Sequence, residues 1–407
     1  MTTYRIGTSF FKSENEAEIQ RALTKLQGSQ DAKVRPLCMC KPPGVEMYVS
    51  KVSGKYVIKR MPDTGSTHAF TCESYEPPQG LSGRGEVMGQ AIQEDLKEGT
   101  TTLKLAFSMS KQGGREAPTP GDGEADSVKT DGKKLSLRGL LHYLWEEAGF
   151  NRWYPAMAGR RNYAVIRKYL LQAATDKKTK GAMIGDRLYV PEPFSLAEKE
   201  EISKRRVSFF MKAALPVKGA KPLLVCIGEV AEFGPARYGQ QVTFRHAKDR
   251  PFMMNDDIYT RLRKRFSKEF ELWESDEGNR IHLMAIATFS VGPTGTPSVE
   301  EIALMVANEN WIPVDNAADF ALVKIMCDSE RMFFKGMRYN LSSNAPLACV
   351  TAIDTAPDPT AMYILPVAAS EDYVKALNKL IEENKMPHWM WKAGEEDLPV
   401  LPPRARQ

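Results

Sequence analysis

Cys38-Met-Cys40 and His68-Ala-Phe-Thr-Cys72 are the two motifs that decide how the N-terminal part of this chain folds. Between them lie Val45-Glu-Met-Tyr-Val-Ser50 and Tyr56-Val-Ile-Lys-Arg-Met61, two alternating segments around a Ser-Gly turn. This pattern predicts a β-hairpin. Because a hairpin returns the chain to its starting point, we expect the two motifs to meet.

The two motifs together supply three thiols and one imidazole, a ligand set that zinc binds with tetrahedral geometry. If Cys38, Cys40, His68 and Cys72 fill all four positions, no position stays open for a substrate water, and the site is structural. The sequence therefore predicts a structural Zn²⁺ that folds the N-terminal hairpin. The alternative is a pair of buried free thiols, Cys38 and Cys40, beside an unrelated histidine and cysteine.

The composition indicates a globular protein with more than one domain. The chain has 407 residues, of which 42% are apolar and 26% are charged. A chain of this length usually holds two or three domains of about 150 residues each. The net charge is +5 and the isoelectric point is near 8.7. This mildly basic balance permits contact with nucleic acid without establishing it.

Cysteine usage and the N-terminal sequence predict a cytoplasmic protein. The 6 cysteines do not make a disulfide framework in so long a chain. Cys226, Cys327 and Cys349 each lie in an apolar run that is typical of a protein core. Residues 1–7 contain no apolar core of a signal peptide. No segment reaches the roughly 18 consecutive apolar residues of a membrane-spanning helix, so we expect no membrane partner.

Strands and helices that alternate irregularly predict an α+β fold. We divide the chain into a zinc-binding hairpin module (1–85), a strand with a flexible linker (86–134), a helical segment (135–215), a mixed α+β domain (216–398) and a disordered tail (399–407). The helical segment is compatible with a winged-helix-like module, although many small helical domains share its pattern. Helices are predicted over 14–27, 136–149, 163–174, 257–273, 298–308 and 371–384. Strands are predicted over 45–50, 56–61, 101–109, 186–190 (the wing), 223–232, 239–246, 281–289, 347–354 and 361–365.

The strongest basic feature is the predicted helix at 257–273. Leu262, Phe266 and Phe270 mark its apolar face, and basic side chains occupy much of the rest. Such a cluster can neutralise phosphates and add affinity without reading sequence. The alternative is a solvated face with acidic partners such as Glu269 and Glu271. The candidate phosphate contacts are Arg261, Arg263, Lys264, Arg265 and Lys268.

A second basic segment, at 330–340, interleaves cations with Phe333, Phe334 and Tyr339. Cations beside aromatic rings can hold phosphates and stack bases. Amphipathic core packing explains the aromatic residues equally well. The candidate contacts in this segment, and in the turn before the helix at 163–174, are Arg331, Lys335, Arg338, Arg160 and Arg161.

Catalysis would need a different set of residues. Glu229 and Glu232 on one predicted strand, with Asp354 and Asp358 near another, could gather two metal ions for phosphodiester cleavage. A nuclease of the common type has Lys two residues after its second acid, whereas Ala231 holds that position after Glu229. These acids can equally mark strand ends or turns. We therefore predict no catalytic residue and keep a metal-dependent nuclease, using Glu229 and Asp354, as the alternative.

Several motifs along the chain carry a resemblance to a known family. They are Leu37-Cys-Met-Cys40, Gly44-Val-Glu-Met-Tyr48, Lys59-Arg-Met-Pro62, His68–Cys72, Glu73-Ser-Tyr-Glu-Pro77, Leu144–Trp153 and Arg331–Asn340. Over nearly its whole length the chain resembles bacterial proteins known only as a domain of unknown function, often encoded on plasmids and integrative elements. The resemblance implies a setting in mobile DNA and supplies no activity and no catalytic residues.

The sequence thus favours a non-enzymatic, zinc-containing nucleic-acid-binding protein of a bacterial mobile element or defence system. Its expected partners are DNA or RNA, together with other proteins if it works within a nucleoprotein complex. The metal-dependent nuclease is the first alternative. A protein-interaction scaffold, with the zinc module as its contact surface, is the second.

Overall fold

The computed structural model describes residues 2–28, 34–52, 54–96, 98–112, 132–180, 182–214, 219–278 and 280–405. Helices and strands follow one another without regular alternation, which confirms the predicted α+β class. The predicted flexible linker at 111–134 lies for the most part, over 113–131, outside the described residues. Within the described ranges no helix is both long and apolar enough to cross a membrane.

The N-terminal module is a five-stranded antiparallel sheet with one helix packed on it. The sheet order is β2-β1-β3-β4-β5, and β4 and β5 form the predicted hairpin. The helix buries Ile19, Leu23 and Leu26 against the sheet in a core of few residues. The elements are β1 (Thr3–Ile6), β2 (Ser9–Lys12), α1 (Glu16–Gln27), β3 (Leu37–Cys38), β4 (Val45–Val52) and β5 (Lys55–Arg60).

The middle of the chain supplies short strands and helices, of which α3 is largely buried in the main core. Ser136 caps the N-terminus of α3, because its side chain accepts a hydrogen bond from Gly139 N. The elements are α2 (Arg84–Val87), β6 (Ile92–Asp95), β7 (Thr100–Leu103), β8 (Ser110–Gln112), α3 (Leu137–Glu147), β9 (Arg152–Trp153), α4 (Tyr163–Ala173), β10 (Lys177–Thr179), β11 (Ala182–Met183), β12 (Leu188–Tyr189) and α5 (Lys199–Phe210).

The segment predicted as a wing, residues 186–190, adds a short strand to the central sheet. It contains β12, which pairs in parallel with β14 (Leu224–Pro235), a long strand of the central sheet. The short hairpin that follows α4 is instead β10–β11, which joins β7 and β6 in a separate sheet. The winged-helix arrangement and the division into domains remain predictions.

The central sheet and its helices occupy the segment from 220 to 328. Before and within it lie β13 (Ala220–Pro222), β14, β15 (Gln240–Phe244), β16 (Phe252–Met254), α6 (Asp256–Arg265), α7 (Ser267–Glu274), β17 (His282–Val291), β18 (Pro297–Ala307), β19 (Pro313–Val314) and α8 (Ala317–Asp328). The predicted single helix at 257–273 is two helices, which break at Phe266.

This sheet closes on itself into a barrel. β14 pairs with β15, β15 with β16, β16 with β18, β18 with β17, and β17 pairs again with β14. All these pairs are antiparallel except β16 with β18. If β14, β15, β16, β17 and β18 are numbered one to five, neighbouring strands around the barrel follow the order 1-2-3-5-4-1. The helices α6 and α7 lie between the third and fourth strands. A five-stranded barrel of this order has the topology of an OB-fold.

Two local features allow the barrel to close. The register of β14 shifts between Val230 and Glu232, so the first half of the strand pairs with β17 and the second half with β15. Gly228 lies opposite the ring of Phe244, and a Cβ at this position would lie 2.6 Å from that ring. Phe244 therefore reaches the barrel interior because residue 228 has no side chain. There its ring packs edge-on against Phe252, whose centroid lies 5.0 Å away.

The predicted helix at 298–308 is wrong, because these residues form strand β18. Residues 302–307 are all buried, since β18 pairs with strands on both sides and α3 packs against it. A strand buried on both faces is a continuous apolar run, which periodicity cannot distinguish from a buried helix. Glu300 of this strand pairs with Lys111 and accepts a hydrogen bond from Ser290.

A second five-stranded sheet, of order β23-β22-β21-β20-β9, completes the C-terminal part. The segment predicted as a disordered tail contacts this part of the protein. Arg331 donates to Pro402 O at 2.9 Å, Trp389 donates to Val400 O at 3.0 Å, and Ala405 N donates to the carbonyl of Asp354 at 2.8 Å. The elements of this part are β20 (Phe333–Lys335), β21 (Val350–Ala352), β22 (Thr360–Leu365), α9 (Glu371–Asn384) and β23 (His388–Lys392).

Ion pairs between buried and half-buried side chains join the N-terminal module to the middle of the chain. Lys59 of β5 pairs with Asp176 at 2.7 Å, and Asp176 also pairs with Lys177 at 2.7 Å. Lys177 reaches Glu147 of α3 at 3.0 Å, and Glu147 in turn lies 3.4 Å from Arg84. Because each buried charge has an opposite partner, the network holds the two parts in one arrangement without leaving an uncompensated ion.

Candidate metal centre and nucleic-acid interface

The two N-terminal motifs meet as predicted. The ligand atoms of Cys38, Cys40, His68 and Cys72 all lie within 4.8 Å of one another. The sulfurs of Cys38 and Cys72 are 3.6 Å apart, and His68 Nδ1 lies 3.4 Å from the sulfur of Cys40 and 3.8 Å from that of Cys72. A tetrahedral zinc with bonds of about 2.3 Å to sulfur and about 2.0 Å to nitrogen separates its ligands by about 3.5 to 3.8 Å. The cluster therefore has the dimensions of a tetrahedral metal site.

The hairpin brings the two motifs together, although they are far apart in sequence. Cys38 lies on β3, which is held between β1 and β4, and Met39 N donates to Thr3 O at 2.8 Å. His68 follows a short helical turn at 65–67. Its Nδ1 faces the sulfurs, whereas its buried Nε2 has no hydrogen-bond partner among the described residues. The imidazole is thus positioned for coordination through Nδ1.

Backbone amides favour the thiolate form that a metal requires. Ala69 N donates to the sulfur of Cys40, and Ser74 N donates to that of Cys72, each at 3.4 Å. A hydrogen bond from the Cys38 thiol lowers the pKa of Cys72 to about 3, although burial opposes this. The pKa of Cys38 is raised by the same hydrogen bond. The two buried sulfurs thus lie within hydrogen-bond distance of each other, and a cation that binds both would replace that contact.

The loop after His68 is fixed to the rest of the protein. Arg152 donates to Glu73 O at 2.7 Å and to Tyr75 O at 3.0 Å. The Tyr75 ring meets Phe334 of β20 edge-on, with centroids 5.9 Å apart. The second metal-binding motif therefore belongs both to the N-terminal module and to the contact between that module and the C-terminal sheet.

The exposed basic residues on α6 and α7 lie on the outside of the barrel helices. Arg261, Lys264, Arg265 and Lys268 are exposed, and no carboxylate lies within ion-pair distance of them in the part of the chain that the structure describes. Arg263 differs, because it pairs with Glu274 and lies over the ring of Phe270 at 4.1 Å. The helices thus present four cations to solvent.

The basic residues of the 330–340 segment lie inside the protein. Arg331 binds the carboxylate of Asp354 through three hydrogen bonds of 2.9 to 3.0 Å. Lys335 is 2% exposed and lies 3.2 Å from Asp319. Arg338 is half-buried and pairs with Asp315. These three predicted phosphate contacts each pair with an aspartate, and of the three only Lys335 lies on strand β20.

The turn before α4 separates its two arginines. Arg160 is exposed. Arg161 donates to the carbonyls of Phe150, Asn310, Gly149 and Arg152, so its guanidinium fastens loops together. Of this pair, only Arg160 presents its charge to solvent.

The acids considered for a nuclease have other partners. Glu229 is buried and bound to His282 at 2.9 Å and to Arg245 at 3.1 Å, while Asp354 binds Arg331. Glu232 is exposed on β14. Among the described residues, the only group of three or more potential metal ligands is the Cys/His cluster. The carboxylates are therefore not gathered around a common metal position.

A cavity of about 1200 Å³ lies between α8, the C-terminal sheet and α9. Two of its lining ion pairs are Asp315 with Arg338, at 2.8 Å, and Asp319 with Lys335. Burial opposes ionisation of Asp315, but the guanidinium of Arg338 lowers its pKa to about 2. These two ion pairs neutralise their own charges, while Lys268, one of the four exposed cations of α6 and α7, also lines the cavity.

A feature that the sequence did not single out is the loop between β14 and β15. Its Tyr238 is 79% exposed, and the guanidinium of Arg237 lies 5.4 Å from the centre of the Tyr238 ring. An Arg-Tyr-Gly turn is too common to be recognised as a site from sequence. Its position is informative because the closed barrel places it in the loop between the first and second barrel strands.

Comparison with known proteins gives one match. No curated protein matches the chain. No solved structure matches it either. The model of one family aligns with residues 4–394, nearly the whole chain, and its description is "Protein of unknown function (DUF1173)". The chain therefore belongs to the DUF1173 family of proteins of unknown function.

Proposed function

We propose that this protein binds nucleic acid, DNA or RNA, through its barrel and the helices packed on it, and that it has no catalytic activity of its own. The N-terminal cluster holds a structural Zn²⁺ in this proposal. We place the protein in the cytoplasm, in the maintenance, transfer or defence of a mobile element, because of the resemblance carried by its sequence motifs. Other proteins of a nucleoprotein complex are its further partners.

The closed barrel is the observation that carries the proposal. OB-fold barrels bind oligonucleotides and oligosaccharides on the face of their second and third strands and on neighbouring loops. A fold alone does not define a ligand. Here the helices between the third and fourth strands also expose Arg261, Lys264, Arg265 and Lys268 without carboxylate partners in the described ranges. Unpaired cations favour a polyanion over a neutral sugar.

The metal is assigned a structural role for two reasons. Four protein ligands complete a tetrahedral shell, so no coordination position is left for a substrate. Three thiolates and an imidazole suit zinc better than magnesium or manganese, which prefer oxygen ligands. The cluster therefore supports a zinc that stabilises the fold, and does not support a metal-dependent nuclease.

Fluorescence anisotropy with labelled DNA and RNA oligonucleotides tests the proposal. We expect binding at low salt that weakens as salt rises, because bound cations release counterions from the phosphates. The double variant R261A/K264A should bind more weakly and with a shallower salt dependence, by roughly 1.4 in the logarithmic slope for a single strand. K375A/K379A, which removes two exposed lysines of α9, is the matched control and should bind as the wild type.

Two outcomes would contradict the proposal. Absence of DNA and RNA binding at low salt would exclude nucleic-acid binding altogether. Cleavage of plasmid DNA with Mg²⁺ or Mn²⁺, lost in a Glu229→Gln or Asp354→Asn variant that keeps its fold, would favour the nuclease instead. Intact plasmid with a retarded band supports binding without cleavage.

A further inference from the structure

The loop between β14 and β15 joins the first and second strands of the barrel. Tyr238 at its tip is among the most exposed aromatic side chains in the described residues, at 79%. A single exposed apolar side chain is common on protein surfaces, so the significance of this ring depends on its place in the barrel. Arg237 beside it supplies a cation within reach of the same partner.

The neighbouring strands form a partly open face. Met253 of β16 pairs with Gln241 of β15 on one side and with Ser298, at the start of β18, on the other. Gln241 and Met253 are half-buried and Ser298 is exposed. The loop from 292 to 296, between the fourth and fifth strands, leads directly into β18. This end of the barrel thus has both loops that OB-folds use, at the edges of the second and third strands.

The opposite end of the same face is covered. Thr243 of β15 is 4% exposed. The segment before and within α5 lies against the loop that follows β15. Phe194 N donates to His246 at 3.2 Å, and Arg206 pairs with Asp249. A ligand on this face must therefore lie at the end where Tyr238 is found.

We infer that single-stranded nucleic acid binds at this open end, with an unpaired base stacked on the ring of Tyr238 and with Arg237 against the base or its phosphate. This inference rests on the proposed function and names its substrate class. A duplex hides its base faces by stacking, whereas a single strand exposes them to an aromatic platform. Stacking on one ring has little sequence preference, because every base has a π-face.

The charges around the loop agree with stacking as the main source of affinity there. Asp256 and Asp257 begin α6 next to the loop, and Gln240 donates to Asp256 at 3.2 Å. These carboxylates repel phosphates from that side. The phosphate backbone of the bound single strand is attracted instead to the exposed cations further along α6 and α7. The first of these cations is Arg261.

The test compares a labelled single-stranded oligonucleotide with the same oligonucleotide in a duplex, both titrated with the full-length protein. We expect the single strand to bind more tightly. Tyr238→Ala should weaken single-strand binding about tenfold, since one base stack contributes that order of affinity. Duplex binding should change much less. Tyr238→Phe keeps the ring and should restore single-strand affinity.

A matched control and a folding check accompany the titration. Phe10→Ala removes another exposed aromatic side chain, 61% exposed and in the N-terminal sheet, and should leave affinity unchanged. Circular dichroism and thermal unfolding of Tyr238→Ala should match the wild type, because the exposed ring contributes little to the core.

The outcomes separate the inference from the proposed function. If R261A/K264A weakens binding but Tyr238→Ala does not, or if the duplex binds as tightly as the single strand, the inference is wrong while nucleic-acid binding stands. If no oligonucleotide binds at low salt, both are wrong. A tenfold loss with Tyr238→Ala and recovery with Tyr238→Phe supports both.

Discussion

The N-terminal module and the barrel are stabilised in different ways. The module has two small apolar clusters, one around Leu23 and one that contains the ligands Cys38 and Cys72 beside Met47. The barrel belongs to a single large core that extends from Val87 to Ala393. A sheet with so few buried residues needs another source of stability, and a structural metal can supply it. We therefore propose that a metal at the Cys/His cluster stabilises the module, where the chain has few buried apolar residues.

Removal of one metal ligand should have the largest effect. Cys72→Ser should lose bound zinc and unfold the N-terminal module, since structural zinc contributes on the order of 10 kcal/mol in small zinc-binding units. Amide hydrogen exchange should become fast over 2–76, while the barrel strands keep their protection. Metal content by atomic emission is the parallel measurement.

Cys327→Ser is the control for this variant, because Cys327 lies on α8 outside the cluster. It should keep its zinc. Full metal content in Cys72→Ser would show that the cluster is not the site. Loss of protection in the barrel as well would show that the two regions unfold as one unit, and the comparison would then fail.

A cavity created in the barrel core should have the next largest effect on stability. It should destabilise the barrel and leave the metal cluster of the N-terminal module intact. Phe252 is fully buried between Phe244 and Phe289, so Phe252→Ala should reduce the free energy of unfolding by about 3 to 5 kcal/mol. Urea denaturation measures this change. Phe10→Ala, at an exposed ring, should change it by less than about 0.5 kcal/mol. Zinc loss from Phe252→Ala would contradict the independence of the two regions.

The ion pairs between the N-terminal module and the middle of the chain predict that the stability of the fold depends on pH. Burial would raise the pKa of Glu147, but Lys177 and Arg84 lower it to about 2. A carboxyl whose folded pKa lies below its ordinary 4.5 stabilises the fold above pH 4.5 and loses that contribution as the pH falls toward 2. The loss of unfolding free energy should reach up to about 3 kcal/mol.

Glu147→Gln removes the titrating group from this network. Its stability should fall less steeply between pH 4.5 and pH 2 than that of the wild type, as measured by urea denaturation at each pH. Glu383→Gln, at an exposed carboxylate of α9, is the control and should keep the wild-type slope. Equal slopes in all three proteins would show that the network does not link the regions.

The surface cations should have the smallest effect on stability. Arg261 and Lys264 are exposed, so R261A/K264A should change the unfolding free energy by less than about 0.5 kcal/mol while it weakens nucleic-acid binding. A large loss of stability in this variant would mean that these side chains are structural.

The sequence predicted the metal cluster better than the barrel, for a physical reason. Cys38, Cys40, His68 and Cys72 are rare residue types whose chemistry is the same in every fold, and one hairpin was enough to join them. The barrel depends on which strands pair. β16 has only three residues, and β18 is buried on both faces, so neither shows an alternating pattern.

Burial explains why one basic segment, on α6 and α7, reaches solvent and the other, at 330–340, does not. Both are rich in Lys and Arg, but a helix such as α6 exposes one face, so Arg261 and Lys264 reach solvent. Lys335 lies on a strand covered from both sides and must pair with Asp319. The sequence could not show this, because the partner is distant in the chain. The sequence did not single out Tyr238 either, because its position depends on pairing between strands that are distant in the chain.

The affinity of the full-length, metal-loaded protein for a single-stranded oligonucleotide, measured across a range of salt concentrations, tests the central claim most directly. We expect binding at low salt that falls linearly on logarithmic axes as salt rises, and a preference for the single strand over its duplex. Absence of binding to DNA and RNA at low salt would contradict the claim that the barrel is a nucleic-acid-binding surface.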